Sequence, residues 1–434
     1  RALGFPEFRP VQINVSFNAS RGTTRGLHAE PWDKFVSVGC GRIFGAWVDL
    51  RPGKGFGRRF TVEIGPDRAI FVPRGVANGF QTLTDDTVYT YLVDAHWSVE
   101  RTGDYSFVNL ADPTLAIDWP IPLGDSIRSD KDLTHPMLAD ARPVHSRPVL
   151  VLGADGQVGR ALRVAFGPLA EYMDRRALDI TAAGIENACD WGRYGAVIDA
   201  AAFTAVDEAE TSAGRQAAWA VNAAAPARLA ALAAEHDFTL VTYSSDYVFD
   251  GKREVHDEDE SFAPLGVYGQ TKAAGDIAVV AAPRHLVLRT SWVLGAGRNF
   301  VATMWRLARK GVHPSVVNDQ TGRPTYASTL AEATIHLLGV GATSGVYNVT
   351  QAGEPRTWAD LAADVFELAD RPRDWIRPVT TREYAAATGR ALAPRPGFST
   401  LELAKVRAVG FSPREYEPDE LLAEAGVDPP MRRI

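Results

Sequence analysis

Two cysteines, Cys40 and Cys189, are all that 434 residues contain. Two thiols cannot build a disulfide framework or a four-ligand zinc site, so the fold must rest on packed apolar cores, and each thiol reads as a small buried side chain. No uninterrupted apolar run approaches the roughly 18 residues of a membrane helix, and the opening Arg1-Ala-Leu-Gly-Phe-Pro-Glu-Phe8 lacks a signal peptide's apolar stretch. An excess of positive charge is missing too: 46 Lys and Arg face 53 Asp and Glu, a formal charge of -7, with no basic tract. These absences argue against a membrane span or a nucleic-acid partner and set the expectation of a cytoplasmic globular protein. Apolar residues are plentiful at 46%, enough for two or three packed domains at this length.

The two parts of the chain are patterned differently. From Val11 to about Tyr105 it consists of short β-branched and aromatic runs cut by glycine turns: Val11 to Phe17, Lys34 to Val38, Arg42 to Leu50, Arg59 to Ile64, Ala69 to Val72 and Thr87 to Val93. Strands at this spacing predict an all-β sandwich or barrel with little helix. Arg142-Pro-Val-His-Ser-Arg-Pro148 reads as a linker, because its prolines and polar residues resist packing. Beyond it, apolar strands alternate with alanine-rich helices, the pattern of a doubly wound parallel sheet. The expected strands are Val149 to Leu152, Glu171 to Met173, Ala196 to Ala200, Thr239 to Tyr243 and His285 to Leu288. The expected helices include Ala217 to His236 and Tyr268 to Ala281, followed by Thr329 to Leu338 and Thr357 to Ala369 in a smaller carboxy-terminal lobe. The resulting division is residues 1–142, a linker at 143–148, and residues 149–434.

The chemistry of the second part begins at Gly153-Ala-Asp-Gly156-Gln-Val-Gly159, directly after the strand at Val149. Glycines at its first, fourth and seventh positions let backbone approach a pyrophosphate, whose charge then meets the positive end of the following helix. Tyr268 and Lys272 stand four apart on one helix face, where the ammonium would lower the phenol's pKa and suit it to pass a proton while hydride moves at carbon. Ser245 follows a strand at the carboxyl edge of the sheet and offers a hydroxyl to the same carbonyl.

Several segments occur in order: the glycine turn, Asp199-Ala-Ala-Ala-Phe-Thr-Ala-Val-Asp-Glu-Ala-Glu210, Ser244-Ser-Asp-Tyr-Val-Phe-Asp-Gly251, Val267-Tyr-Gly-Gln-Thr-Lys272, Leu288-Arg-Thr-Ser-Trp-Val293 and Asn318-Asp-Gln-Thr-Gly-Arg-Pro-Thr325. Residues 148 to 425 thereby resemble dTDP-4-dehydrorhamnose reductases, extended short-chain dehydrogenases. The resemblance implies reduction of a dTDP-sugar 4-ketone by NADPH or NADH, with Tyr268 as acid, Lys272 tuning it and holding the nicotinamide ribose, and Ser245 polarising the carbonyl. Gly153, Gly156, Gln157, Val158, Ala200, Ala201 and Ala202 fall at cofactor positions, and Asp246, Tyr247 and the sugar-packing Trp292 at substrate positions. Asp174 suits a ribose hydroxyl and Arg175 a 2'-phosphate, leaving NADH and NADPH both open. Asp179-Ile180 resembles an adenine-contacting pair, with helix capping as the other reading of Asp179. The glutamate with which some members bind magnesium is Ala161 here, so no metal is expected.

The first part carries Arg25-Gly-Leu-His28, Lys34-Phe-Val36, Gly41-Arg-Ile-Phe44, Val48-Asp-Leu-Arg51, Phe71-Val-Pro-Arg-Gly-Val-Ala-Asn-Gly-Phe80, Tyr91, Ile117-Asp-Trp-Pro120 and Ser129-Asp-Lys-Asp132. These resemble dTDP-4-dehydrorhamnose 3,5-epimerases, which implies a cupin-type jelly roll and a homodimer through residues 1 to 140. By that resemblance His28 is the base, Asp132 orients it, Lys34 faces the enolate oxygen, Tyr91 is the acid, and Arg25, Glu30 and Asn78 contact substrate. Glutamine is usual at Glu30, the frequent Ala-His-Gly-Phe is Ala77-Asn-Gly-Phe80, and the His28 to Lys34 spacing is short. The chain starts at Arg1, where these enzymes already have a nucleotide-binding strand, so either a segment precedes it or the first site is impaired. The combined expectation is a two-step enzyme. A reductase whose β domain only binds or dimerises, and another nucleotide-sugar short-chain enzyme, are the alternatives.

Overall fold

A computed structural model describes residue 8 and residues 10–96, 105–144 and 147–427. The chain divides into two compact units, Arg1–Ser146 and Arg147–Ile434.

In the first unit, β1 (Gln12–Asn18), β2 (Thr24–Ala29), β3 (Lys34–Cys40), β4 (Ile43–Asp49), β5 (Arg59–Ile64), β6 (Ala69–Val72), β7 (Val76–Thr82), β8 (Thr87–Val93) and β9 (Ser106–Phe107) form two antiparallel sheets. Their orders are β1-β8-β3-β6 and β5-β4-β7-β2-β9. Apolar side chains of the two sheets share a core: Val36, Val38, Val72 and Tyr89 from the first meet Ile43, Trp47, Ile64 and Phe80 from the second. A short helix, α1 (Asp130–Leu133), follows the strands.

The sequence pattern names no strand at β7, because Val76-Ala-Asn-Gly-Phe-Gln-Thr82 does not alternate. It lies between β4 and β2 with most residues buried, and a Cβ at Gly79 would stand 2.9 Å from the Leu27 side chain and 3.0 Å from the Arg25 carbonyl. Close approach there selects glycine rather than a β-branched residue. On the edge strand β1 the usual alternation is inverted: Ile13, Val15 and Phe17 are 63%, 64% and 63% exposed, while Gln12, Asn14 and Ser16 are half-buried. Cys189 is half-buried, but Cys40 is exposed at the end of β3, which corrects the expectation of two buried thiols.

The second unit runs β10 (Val149–Leu152), α2 (Gln157–Phe166), β11 (Ala170–Met173), β12 (Ala196–Asp199), α3 (Ser212–Trp219), α4 (Ala225–His236), β13 (Thr239–Ser245), α5 (Val267–Val279), β14 (His285–Thr290), α6 (Phe300–Arg309), α7 (Ala327–Gly339), β15 (Gly345–Asn348) and α8 (Trp358–Leu368), among shorter elements. Its main sheet is parallel, in the order β11-β10-β12-β13-β14-β15. Leu150, Leu152, Val197 and Leu240 pack under Leu229 and Leu232 of α4. The alternate residues Val151, Ile198 and Val241 pack against Leu162 of α2 and Leu330 of α7. Burial on both faces explains why these strands read as unbroken apolar runs. Strand order reverses between β10 and β12, which puts a ligand crevice at their carboxyl ends. A separate core joins α6 and α8 through Val301, Met304, Leu361 and Phe366.

The single helix expected over Ala217 to His236 is interrupted. Between α3 and α4 the chain makes a π turn, Ala220–Ala224. Pro226 lacks the N–H that an α-helix would direct at the Asn222 carbonyl, and Gly275 of α5 leaves room for that carbonyl, since a Cβ there would stand 2.2 Å from it. The turn points Asn222 at the backbone of Phe203 and at the Thr271 hydroxyl.

Beneath the crevice, Arg289 of β14 and Asp276 of α5 form an ion pair of 3.0 Å with both side chains under 5% exposed. Asp276→Ala leaves the guanidinium buried without its countercharge and is expected to cost the second unit about 3–5 kcal/mol in chemical denaturation. A loss below about 1 kcal/mol, the range of solvated surface pairs, would contradict this account of the pair.

Candidate active sites

The glycine turn is built by close contacts. Gly153 has φ +70°, a left-handed conformation, and a Cβ on it would stand 2.6 Å from the Ala201 nitrogen. A Cβ on Gly159 would stand 2.3 Å from the Gly153 carbonyl. Gly156 caps α2 without a side chain, so the helix N-terminus is left open toward the crevice. A cavity of about 980 Å³ lies there, and every residue expected at the cofactor or sugar in the second unit lines it, from Gly153, Gly156, Gln157 and Val158 through Asp174, Arg175, Asp179, Ile180 and Ala200 to Ala202, to Ser245, Asp246, Tyr247, Tyr268, Lys272 and Trp292.

Ser245 ends β13, donates to Asp246 Oδ1 at 2.8 Å and is a hydrogen-bond partner of the Tyr268 phenol. The edge of the Tyr247 ring meets Tyr268, with centroids 5.9 Å apart. Lys272 is buried and donates from Nζ to the Tyr243 carbonyl at 2.9 Å.

The expectation that Lys272 lowers the tyrosine pKa is not met. Burial pushes the Tyr268 phenol up, the Asp246 charge adds to this, and the Ser245 hydrogen bond only partly opposes it. Although helix spacing puts Lys272 on the tyrosine's face, its ammonium turns to the β13 carbonyl. There burial pushes it down against the opposing charges of Asp199 and Asp276. Asp199, at the end of β12, is itself pushed up to about 7 by burial, with Lys272 pulling the other way. Sequence reasoning did not single out Asp199 or Asp276 as site residues; their signal was a carboxylate inside otherwise apolar strand and helix patterns.

Asp174 accepts from the backbone N–H groups of Arg176 and Ala177, and Arg175 pairs with Asp179 at 3.2 Å. Asp179 also accepts from the Thr181 N–H and hydroxyl and precedes no helix, so it closes a turn rather than capping one. Trp292 holds φ +45° and stacks on Trp358 at 3.9 Å. Trp358 also lines the cavity and was missed, because a tryptophan opening a helix resembles core.

In the first unit, His28 Nε2 lies 3.1 Å from Asp132 Oδ1, bringing β2 and α1 together from 104 residues apart. Ser129 donates to Asp132 Oδ2 at 2.7 Å, and the Gly26 N–H points at Oδ1. His135, unremarked in the sequence, stacks on Phe107 and meets the His28 ring edge-on at 5.2 Å. His28, Asp132 and His135 each present one potential metal-ligand atom, all within 4.8 Å. Asp132, however, already accepts hydrogen bonds on both oxygens. Lys34 forms a buried ion pair with Glu30 and lies 5.3 Å from the Tyr91 ring centroid. Asn78 hydrogen-bonds the Tyr89 hydroxyl through both its amide nitrogen and its amide oxygen. Arg25 donates to the carbonyls of Thr24 and Ile127.

Fold and geometry define a dinucleotide-binding oxidoreductase unit preceded by an all-β unit in which a half-exposed histidine meets a buried aspartate. The family described as RmlD substrate binding domain matches residues 147–424, and dTDP-4-dehydrorhamnose 3,5-epimerase matches residues 1–140. A Streptococcus pyogenes protein described as an RmlC homolog is 47% identical over 147 residues, 33% of this chain and 74% of its own length. A Streptomyces antibioticus protein described as a probable dTDP-4,6-dihydroxy-2-methyloxan-3-one 4-ketoreductase is 40% identical over 306 residues, 65% of this chain and 98% of its own. The crystal structure of dTDP-4-dehydrorhamnose reductase from Bacillus anthracis in complex with NADP is 31% identical with a TM-score of 0.57, over 64% of this chain and 98% of that one. The chain belongs to the RmlD reductase family and carries an RmlC-type epimerase unit ahead of it.

Burial alone would raise the Asp132 carboxyl, but hydrogen bonds from His28 and Ser129, the His28 charge and the Gly26 N–H pull it down to about 2. A depressed carboxylate stabilises the fold above its ordinary value of 3.8 and loses that contribution as pH falls through about 2. Asp132→Asn is therefore expected to destabilise the first unit by about 2 kcal/mol at neutral pH and by little below the folded value, measured as denaturation midpoints across pH. Equal losses at both ends would contradict it.

Proposed function

We propose that residues 1–142 epimerise dTDP-4-dehydro-6-deoxy-glucose at carbons 3 and 5, and that residues 149–434, beyond a linker at 143–148, reduce the product to dTDP-L-rhamnose with NADPH or NADH. The observation that carries the reading is the second unit's cavity, which is lined both by the glycine turn and by Ser245, Tyr268 and Lys272. The tight contacts at Gly153 and Gly159 fit a pyrophosphate cradle, because any Cβ would collide with neighbouring backbone.

A bound nicotinamide supplies the hydride that reaches carbon 4. Burial keeps Tyr268 protonated at neutral pH, so it can hand its proton to the oxygen as negative charge develops there. Ser245, whose hydroxyl donates to Asp246 in the resting site, turns that donor to the same oxygen. Lys272 is fixed by the Tyr243 carbonyl and holds the ribose, while the Trp292 and Trp358 stack walls the sugar side. Asp174 and Arg175 serve the adenosine ribose, Asp179 and Ile180 the adenine, and Asp246 and Tyr247 the sugar.

In the first unit, the 4-ketone acidifies the protons at carbons 3 and 5. His28 removes each proton, and anionic Asp132 stabilises the imidazolium that results. Lys34 faces the enolate oxygen, Tyr91 returns a proton on the opposite face, and Arg25 meets the phosphates. The two facing antiparallel sheets are read as a cupin-type jelly roll. The exposed row Ile13, Val15 and Phe17 on the edge strand β1 supports a homodimer through this unit. No helix among the described residues is long and apolar enough to cross a membrane, and a cytoplasmic site of action is part of the same reading.

Two variants separate the steps. Tyr268→Phe is expected to lower sugar-dependent NADPH oxidation by about 100-fold to 10,000-fold while solvent deuterium still enters carbons 3 and 5. His28→Asn is expected to abolish deuterium entry, with reduction restored when a separate epimerase is added. Loss of deuterium entry in Tyr268→Phe, reduction in His28→Asn that an added epimerase does not restore, or retention of both activities in either variant would contradict the assignment.

A further inference from the structure

The first unit's site contains a conflict of charges. Lys34 is needed at an enolate oxygen, yet the same ammonium lies 5.3 Å from the centroid of the Tyr91 ring. A cation near the phenol favours the phenolate and so works against keeping the proton that the acid must deliver. Epimerisation at two carbons in succession requires that phenol to be protonated twice per substrate.

Glu30 stands where it can resolve this conflict. It lies just past β2, four residues before Lys34 opens β3, and the paired side chains are 12% and 5% exposed. In the β3–β8 ladder Tyr91 is opposite Val36, which shares a strand face with Lys34 two residues earlier, so the three side chains converge on one interior. We propose that Glu30 is a positioning residue: its carboxylate fixes the Lys34 ammonium beside Tyr91 and offsets that charge, so that the Tyr91 phenol stays loaded with its proton. The inference rests on Tyr91 being the epimerase acid.

The surroundings of Tyr91 leave this part to Glu30. On β1 the residue opposite is Asn14, and on β3 it is Val36; neither titrates. Among the described residues, Glu30 is the charge that acts on the phenol; the Lys34 ammonium lies over the ring, and Tyr89 is beside it on its own strand, with ring centroids 5.9 Å apart. Tyr89 is buried and held by Asn78. Burial pushes the Tyr91 phenol up, and the Glu30 charge acts in the same direction.

The test uses the full chain labelled with carbon-13 at the tyrosine ζ carbon, with the Tyr91 signal assigned by its loss in Tyr91→Phe. Glu30→Gln, nearly the same shape without the charge, is expected to lower the Tyr91 ionisation midpoint by about one pH unit or more. Glu30→Asp is expected to stay near the unsubstituted protein. The alkaline limb of deuterium entry at carbons 3 and 5 should fall with the midpoint in Glu30→Gln. An unmoved phenol midpoint would overturn the inference whatever the activity. A midpoint that moves while the alkaline limb does not would overturn the role in the reaction. Absence of deuterium entry in the unsubstituted protein would instead overturn the epimerase reading, with the phenol titration still deciding what Glu30 does to Tyr91.

Discussion

A buried ammonium organises the second unit. Lys272 lies buried in the wall of the crevice, tied to the Tyr243 carbonyl and opposed by the charges of Asp199 and Asp276, while Asp276 in turn neutralises Arg289. Charges removed from water are tolerable only when paired and hydrogen-bonded, and such pairing fixes their positions. The sheet order supplies the place: Asp199 ends β12, Tyr243 lies in β13, and α5 carries Tyr268, Lys272 and Asp276 across from them. The π turn sends Asn222 to the same helix, at Thr271. The cavity walls are thus anchored by electrostatics at one end and by glycine backbone contacts at the other.

The first unit meets a related problem on a different scaffold. Asp132 is buried yet remains an anion, because hydrogen bonds from His28, Ser129 and the Gly26 N–H outweigh its desolvation. Lys34 is nearly as buried and leans on Glu30. In the second unit, by contrast, desolvation wins at Asp199 and Asp246, whose carboxyls are pushed up to about 7 and about 6. Asp246 also accepts several hydrogen bonds, all from neutral groups, whereas Asp132 has the charge of His28 beside it and is less strongly desolvated. The product of epimerisation is the substrate of reduction, which gives the joining of these two units in one chain a chemical reason.

Much of this was legible in the sequence where the signal is local. Strands β10, β12 and β13 appear as short apolar runs, and β5, β6 and β8 match their expected bounds because β-branched and aromatic runs between turn residues are a local property of the chain. The glycine turn, Ser245 and the Tyr268 and Lys272 spacing likewise appear as written. What escaped depends on partners distant in sequence. β7 is buried around a glycine that only the approach of Leu27 and Arg25 explains. The alliance of Lys272 with a strand carbonyl, rather than with the phenol four residues away, cannot be read from helix periodicity. His135 and Trp358 acquire meaning only once β2 and α1, or Trp292, are beside them.

The central claim is that one chain performs both steps. Proton NMR of the unsubstituted protein with dTDP-4-dehydro-6-deoxy-glucose in heavy water, before and after NADPH is added, tests it most directly. The account predicts deuterium at carbons 3 and 5 before addition and dTDP-L-rhamnose carrying both deuteriums afterwards. NADPH consumed with protons retained at both carbons, or deuterium entry with no sugar reduced, would contradict it.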